Sequence, residues 1–291
     1  MDMRIIQSEE FRTFRARQES QWVCPATDYL TDALERLRHG TKTFGDSMPW
    51  TKTQEKFRFR PGEVTIWAGT NGSGKSMVTG MQALWLASQR RVLIASLEMP
   101  AESTVARMGR QYIGTDSPTD KAFRDYGKFI EDGIWLYDQV GTSDPESILA
   151  MIHWGAEEHG VTHFFIDSLM KCVKGTDDFN GQKNFVDAIG WAAKEHKVHV
   201  HLVHHVRKPD RNASRITKYD VKGAGEITDL ADNVILVSRK KPEELRDPKD
   251  PSCFLEIAKQ RHGEWEGTFG FWWDERSMQW TDSPNKTMRI K

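Results

Sequence analysis

The residues that could do chemistry begin at Gly69-Thr70-Asn71-Gly72-Ser73-Gly74-Lys75-Ser76, a Gly-x-x-x-x-Gly-Lys-Ser loop placed directly after the apolar run Val64-Thr-Ile-Trp-Ala68. A strand before and a helix after give this pattern its meaning. Glycines let backbone N–H groups curl around phosphate oxygens, and the lysine reaches the β- and γ-phosphates. The serine hydroxyl can ligate Mg²⁺, and the helix from about Gly74 points its positive end at the anion. The sequence therefore predicts that residues Gly69 to Ser76 bind a nucleoside triphosphate, with Mg²⁺ held in part by Ser76.

A phosphate loop needs a carboxylate for the Mg²⁺ shell, and the apolar strand His163-Phe-Phe-Ile166 delivers Asp167 at its carboxyl end, with Ser168 adjoining it. Hydrolysis also needs a group to orient or deprotonate water. Glu98 closes Arg91-Val-Leu-Ile-Ala-Ser-Leu97, the β-rich run that follows the phosphate-loop helix. If that strand lies beside the phosphate-loop strand, Glu98 can face the attacking water. The competing reading makes Glu98 a helix-capping carboxylate before Pro100. The run Val198 to His205 ends in His204-His205, where a polar group could sense the γ-phosphate. His199 and His201 alternate along the same run, but no third ligand accompanies them, and strand histidines are usually satisfied structurally.

Cations cluster in two loops. Between His201 and Lys222 stand Arg207, Lys208, Arg211, Arg215, Lys218 and Lys222 against Asp210 and Asp220, interleaved with Pro, Asn and Ser. A second group, Lys171, Lys174 and Lys183, follows Asp167 near Gly175 and Gly181. Two basic loops at the sheet edge that binds nucleotide suit contact with a nucleic-acid backbone, against the alternative of solvated surface. Farther on, strand alternation puts Lys259 and Arg261 on one face, able to meet a single phosphate.

The elements that must position these groups alternate. After the phosphate-loop helix come strands at Arg91–Leu97, Ile134–Tyr137, Thr162–Ile166 and Val198–Val203, with helices expected over Asp144–Glu158 and Asn184–His196. This predicts an α/β fold with a mostly parallel central sheet flanked by helices, where active groups collect at the strands' carboxyl ends. Residues Asn233 to Val237, Phe254 to Lys259, Gly267 to Trp273 and Met278 to Trp280 read as an antiparallel extension, with Trp265, Trp272, Trp273 and Trp280 as its core packing, against the alternatives of base stacking or a subunit interface. Ahead of this α/β region, residues 1–56 read as an extension. Thr27 caps a helix over about 28–38 with Leu30, Ala33, Leu34 and Leu37 on one face, a loop or linker spans Thr41 to Lys56, and the main domain covers 57–291.

Composition sets outer bounds. A net charge of −1 excludes a uniformly basic nucleic-acid coat, so any such contact is confined to the local loops. Cys24, Cys172 and Cys253 stand far apart with no Cys-x-x-Cys pair, which argues against a disulfide framework or a structural zinc. No run has the roughly 18 apolar residues of a membrane span. A soluble, intracellular (cytoplasmic) protein is expected.

In order, Gly69 to Ser76, Ser96-Leu-Glu-Met99, Phe164-Phe-Ile-Asp167, His204-His-Val-Arg-Lys208, Gly223-Ala-Gly225 with Ala231-Asp-Asn-Val234, and Ala258-Lys-Gln-Arg261 resemble the motifs of hexameric replicative DNA helicases. This is the DnaB, Twinkle and phage primase-helicase group, with a RecA-like motor, and the resemblance covers about residues 57 to 282. It implies a DNA-stimulated ATPase that uses ATP or another NTP or dNTP with Mg²⁺. The partners it implies are single-stranded DNA, further copies in a hexameric ring, and a primase, polymerase or single-strand-binding protein.

The resemblance also implies roles. Lys75 and Ser76 bind phosphate and Mg²⁺, Glu98 is the catalytic carboxylate, Asp167 the second Mg²⁺ group, and His205, directly before the basic loop, the γ-phosphate sensor. Lys259 and Arg261 reach the neighbouring subunit's nucleotide. Arg207, Lys208, Lys171, Lys174 and the Lys222-Gly223-Ala-Gly225 turn contact single-stranded DNA, and the helix near 28–38 packs on an adjacent subunit. RecA-type recombinases share the fold, so an ATP-gated DNA-binding protein that does not unwind is the alternative. In steady-state assays, Lys75→Ala is expected to abolish ATP turnover, and turnover at the unsubstituted rate would remove the phosphate loop from the reaction.

Overall fold

A strand buried at every position needs cover on both faces, and Val64–Gly69 (β1) is such a strand. Its neighbours are of the same kind. Val92–Ser96 (β2), His163–Asp167 (β4) and His199–His205 (β5) are buried along almost their whole length, whereas Ile134–Tyr137 (β3), at the edge, is only partly buried. With Asn233–Arg239 (β6), Cys253–Gln260 (β7), Gly267–Asp274 (β8) and Gln279–Thr281 (β9), they form a nine-stranded sheet in the order β3-β2-β4-β5-β1-β6-β7-β8-β9. Pairing is parallel from β3 through β6 and antiparallel from β6 to β9. The expected parallel sheet with an antiparallel extension is what forms.

These strands belong to a computed structural model that describes residues 25–31, 33–34, 37–38, 44–175, 178–206, 225–247, 249–284 and 286–290. The chain divides into two compact units, Met1–Phe44 and Gly45–Lys291. In the first, a 3₁₀ turn spans Ala26–Tyr29 and helical residues follow it, with Pro25 and not Thr27 at the capping position. Leu30, Leu34 and Leu37 of this segment are exposed. In the second unit the expected loop before residue 57 is irregular but packed. Met48 and Trp50 are fully buried beside Phe57 and Phe59.

Helices cover the sheet on both faces. Lys75–Ala87 (α1), Ala101–Ile113 (α2) and Asp120–Ile130 (α3) join Val92, Ile94 and Phe165 through Leu84, Met108 and Tyr126. On the other face, Pro145–His159 (α4), Phe179–Glu195 (α5) and Gly225–Leu230 (α6) pack Ile152, Phe185, Ile189 and Ile227 against Ile66, Phe164, Val200 and Val234. Side chains alternate between faces along a strand, so each strand feeds both layers. α5 starts before the expected Asn184, because the Asp178 carboxylate accepts from the Gly181 N–H at 2.9 Å and caps the helix early. Among the described residues no helix is long and apolar enough to cross a membrane.

The strand histidines form a buried polar seam. His163 Nε2 lies 3.1 Å from Asp46 Oδ2, His163 Nδ1 lies 3.1 Å from His201 Nε2, and the Trp67 indole donates to His201 Nδ1 at 3.3 Å. His199 meets Thr65 Oγ1 at 2.8 Å and the Arg60 carbonyl at 2.7 Å. Every partner belongs to the core, so the structural reading of His199 and His201 holds.

Burial disfavours the charged imidazolium and lowers all three imidazoles, His199 to about 3 and His201 well below its usual value. His163 is thus neutral near pH 7, and the cation paired with Asp46 is Arg90, at 3.1 Å. Burial alone would raise the Asp46 carboxyl. The hydrogen bonds from His163 and Arg90 outweigh it and leave the group below its ordinary value.

Because the folded-state values are depressed, the unfolded chain binds more protons once the pH falls below about 6.5. Stability is full above that value and is lost progressively toward acid. Chemical denaturation followed from pH 7.5 to pH 5 should show a fall approaching one to three protons, about 1.4–4 kcal/mol per pH unit. A flat profile would mean that these imidazoles titrate normally.

Candidate active site

The phosphate loop is a tight backbone turn that only small residues can make. Gly72 and Gly74 have φ of 77° and 93°, a region L side chains rarely adopt, and a Cβ on Gly74 would sit 2.9 Å from the Trp280 ring. The loop is thus seated on the carboxyl-terminal strand. Lys75 opens α1 and folds back over the turn, donating from Nζ to the carbonyls of Gly69 and Thr70 at 2.9 Å each. Burial lowers its ammonium to about 8, against the opposing charges of Asp167 and Glu98. A phosphate at this position would supply the anion that restores it.

Strand register brings the other groups here. Parallel pairing sets Gly69 beside His205, Asp167 beside Val203, and Ser96 beside Asp167, so these strands end at one edge. The Ser76 hydroxyl donates to Asp167 Oδ2 at 2.6 Å, tying α1 to β4. Among the described residues, Asp167 Oδ1 is buried without a hydrogen-bond partner. A divalent cation fits this oxygen set, in which a hydroxyl and a carboxylate with a spare buried oxygen face each other. Burial raises the Asp167 carboxyl and the nearby charge of Glu98 adds to the rise, while the bond from Ser76 opposes it.

Glu98 arrives by a different route from the one its sequence position suggests. β2 is not adjacent to β1, because β4 and β5 lie between them. Glu98 still reaches the site, since it extends past the end of β2 toward the ends of β4 and β5. Glu98 Oε1 accepts from the Ser168 hydroxyl at 2.6 Å and lies 3.1 Å from His205 Nε2. Its side chain does not cap α2, whose first turn is preceded by Pro100 with no side-chain cap. Burial would raise the Glu98 carboxyl, but the bonds from Ser168 and His205, with Lys171 nearby, bring it below the ordinary value. It is ionised at neutral pH, the state an acceptor for a water proton requires.

Of the two histidines, His204 is buried and His205 is the one at the site, where Glu98, Asp167 and His205 present ligand atoms within 4.8 Å of one another. The Asp167–Ser168 peptide is cis. A residue that sequence reasoning missed also stands here. Arg107 of α2 is largely buried beside Asp167, and both line a small cavity with Ser96 and Thr104. Nothing in the local pattern of an amphipathic helix marks that arginine; only the packing of α2 on α1 does.

Lys259 and Arg261 lie elsewhere. β7 runs antiparallel to β6, so Lys259 pairs with Val234, and Thr65 of β1 pairs with Asn233. Both cations therefore lie toward the opposite end of β1 from the phosphate loop, Lys259 level with Ile66 and Arg261, whose N–H bonds the Asp232 carbonyl, level with Val64, about three and five strand residues from Gly69, or ~10 and ~16 Å. They do share a face. Lys259 Nζ donates to the carbonyls of Thr228, Asp229 and Ala231 at 2.7, 3.0 and 2.9 Å, and Arg261 binds the Asp229 carbonyl and, at 3.1 Å, the Asp232 carboxylate.

Lys171 lies in a short 3₁₀ turn (Leu169–Lys171) just past Asp167, followed by Lys174, while Lys183 of α5 pairs with Glu226 of α6 at 3.2 Å. Gly225 opens α6. Arg207, Lys208, Lys222 and Gly223 fall outside the described residues.

A phosphate-binding turn, an acid at the end of β4 and an ionised carboxylate beside them on a parallel sheet define a P-loop nucleoside triphosphatase. The AAA domain family matches residues 56–211, more than half of the chain, and the protein belongs to that family. Among solved structures, the ATPase domain of G40P superposes with a TM-score of 0.78 at 16% identity, over 89% of this chain and 99% of that one. A DnaB-like replicative helicase, described with its interactions with primase, superposes with a TM-score of 0.74 at 17% identity, over 89% of this chain and 67% of that one. The RecA-like fold expected from the motif order is the fold observed.

The bond from the Ser168 hydroxyl is the largest single contribution that holds Glu98 below its ordinary value, with His205 and Lys171 adding to it, so removing it should let the carboxyl rise. In Ser168→Ala, the acid limb of the ATPase rate profile should move to higher pH, with nucleotide affinity little changed. An unmoved limb would show that another group sets it.

Proposed function

We propose that this chain is an ATP-dependent, ring-forming replicative DNA helicase that translocates on single-stranded DNA and unwinds duplex. The observation that carries the reading is the split of its charged groups. Lys75, Ser76, Asp167, Glu98 and His205 converge at one edge of the sheet, while Lys259 and Arg261 stand at the other, out of reach of their own phosphate loop. Cations placed there serve a nucleotide held by an adjacent copy.

The geometry of the described residues supports a role for each group at the nucleotide edge. Lys75 and the loop amides hold the β- and γ-phosphates, and Ser76 and Asp167 would hold Mg²⁺, which neutralises phosphate charge. Glu98 accepts the proton of the attacking water. His205, bonded to the same carboxylate oxygen, senses whether the γ-phosphate is present, and it stands one residue before the segment carrying Arg207 and Lys208. Those residues, with Lys171, Lys174, Lys222, Gly223 and Gly225, contact the strand's phosphates. Arg261, supplied by the neighbour, stabilises charge as the phosphoryl group transfers. The exposed Leu30, Leu34 and Leu37 suit the packing of the amino-terminal segment on an adjacent subunit. A primase is the further partner this reading suggests.

Two measurements test it. ATP turnover should rise when single-stranded DNA is added, and a forked duplex should be displaced in an ATP-dependent manner. Arg261→Ala should retain nucleotide binding and lose DNA-stimulated turnover by 10³-fold or more. Full stimulated turnover in that variant would sink the trans role of Arg261. Strand exchange on helical filaments without displacement would instead establish the recombinase alternative.

A further inference from the structure

Away from the nucleotide, α4 and the end of α5 bring together His153, Glu157 and His196, which no step of the proposed reaction uses. His153 and Glu157 are one turn apart on α4, and His196 is the residue that closes α5. His153 Nδ1 lies 3.3 Å from His196 Nε2, and His196 Nδ1 lies 2.8 Å from Glu157 Oε1. Two imidazole nitrogens bound to one tetrahedral cation at about 2.0–2.1 Å are separated by about 3.3 Å, so the pair already has the spacing of a chelating edge. The carboxylate on the far nitrogen of His196 is the arrangement that fixes the tautomer and orientation of a ligating histidine.

Burial supports the same assignment. The His196 side chain is only 9% exposed and so is held in place, whereas His153 is exposed and Glu157 is 56% exposed, which leaves the site open to an entering ion. Nitrogen donors select against Mg²⁺ and favour zinc, nickel or copper, so this chemistry differs from that of the oxygen set at Asp167. We propose that His153 and His196, with Glu157 orienting the latter, bind one first-row divalent cation of the zinc type and thereby join α4 to the carboxyl end of α5. This site does not depend on the helicase reading. The competing arrangement is a hydrogen-bond relay from Glu157 through His196 to His153 with no ion.

The test uses the full chain, stripped with chelator, returned to excess Mg²⁺ and titrated with ZnCl₂ by calorimetry, with thermal unfolding in parallel. One saturable zinc site is expected, together with a rise of several degrees in melting temperature. His153→Ala, a surface change, should lower zinc affinity at least tenfold and abolish that rise while leaving ATP turnover unchanged. Glu157→Gln should weaken binding severalfold. No saturable binding by the unsubstituted chain, or equal binding by His153→Ala, would overturn the proposal in favour of the relay.

Discussion

Everything at the nucleotide edge depends on parallel strands paired so that their ends coincide. Gly69 stands beside His205 and Asp167 beside Val203, so the turn that cradles phosphate, the acid at the end of β4 and the histidine at the end of β5 share one rim. Side chains alternate along a strand, and a slip of one residue in β4 or β5 would turn Asp167 or His205 to the opposite face. The buried apolar residues that fix the register, Ile66, Phe164, Ile166, Val200 and Leu202, therefore fix the chemistry as well. The Ser76 hydroxyl on Asp167 then locks α1 to the neighbouring layer.

A second set of interactions braces the opposite rim. The Asp232 carboxylate accepts the Val64 N–H at 3.0 Å and pairs with Arg261, while the Asn233 amide donates to Glu63 at 2.9 Å and to Thr65 at 3.1 Å. Lys259 closes the carboxyl end of α6 by binding its last carbonyls, where a cation meets the negative end of the helix. In the isolated chain these cations are thus occupied by backbone and by Asp232. A phosphate arriving from outside would compete with neutral carbonyls and one carboxylate.

Much of this was legible in the sequence because the signals were local. Gly69 to Ser76 is a contiguous motif, the alternation of strands and helices is read within windows of ten residues, and hydrophobic runs ending in Glu98, Asp167 and His205 mark strand tips. What stayed hidden depends on strand order. Nothing in Arg91 to Glu98 says that two later strands insert between β2 and β1, yet this insertion sets Glu98 against Ser168 and His205. The packing of Met48 and Trp50 was hidden for the same reason, since their partners, Phe271 and Trp280 among them, are more than two hundred residues away. Arg107 is the third case. Its helix looks like any amphipathic segment until α2 is laid beside the end of β4.

The placement of Lys259 and Arg261 at the far end of β1 also bears on assembly. On the proposed reading, each copy has a receiving rim and a donating rim on opposite sides, so two copies related by a two-fold axis would face like rims together and complete nothing. Copies must join head to tail, and any open chain of them ends in one nucleotide without cations and one set of cations without a nucleotide. Closure alone leaves no end unmatched, which makes the position of two side chains at one end of β7 an argument about the symmetry of the whole particle.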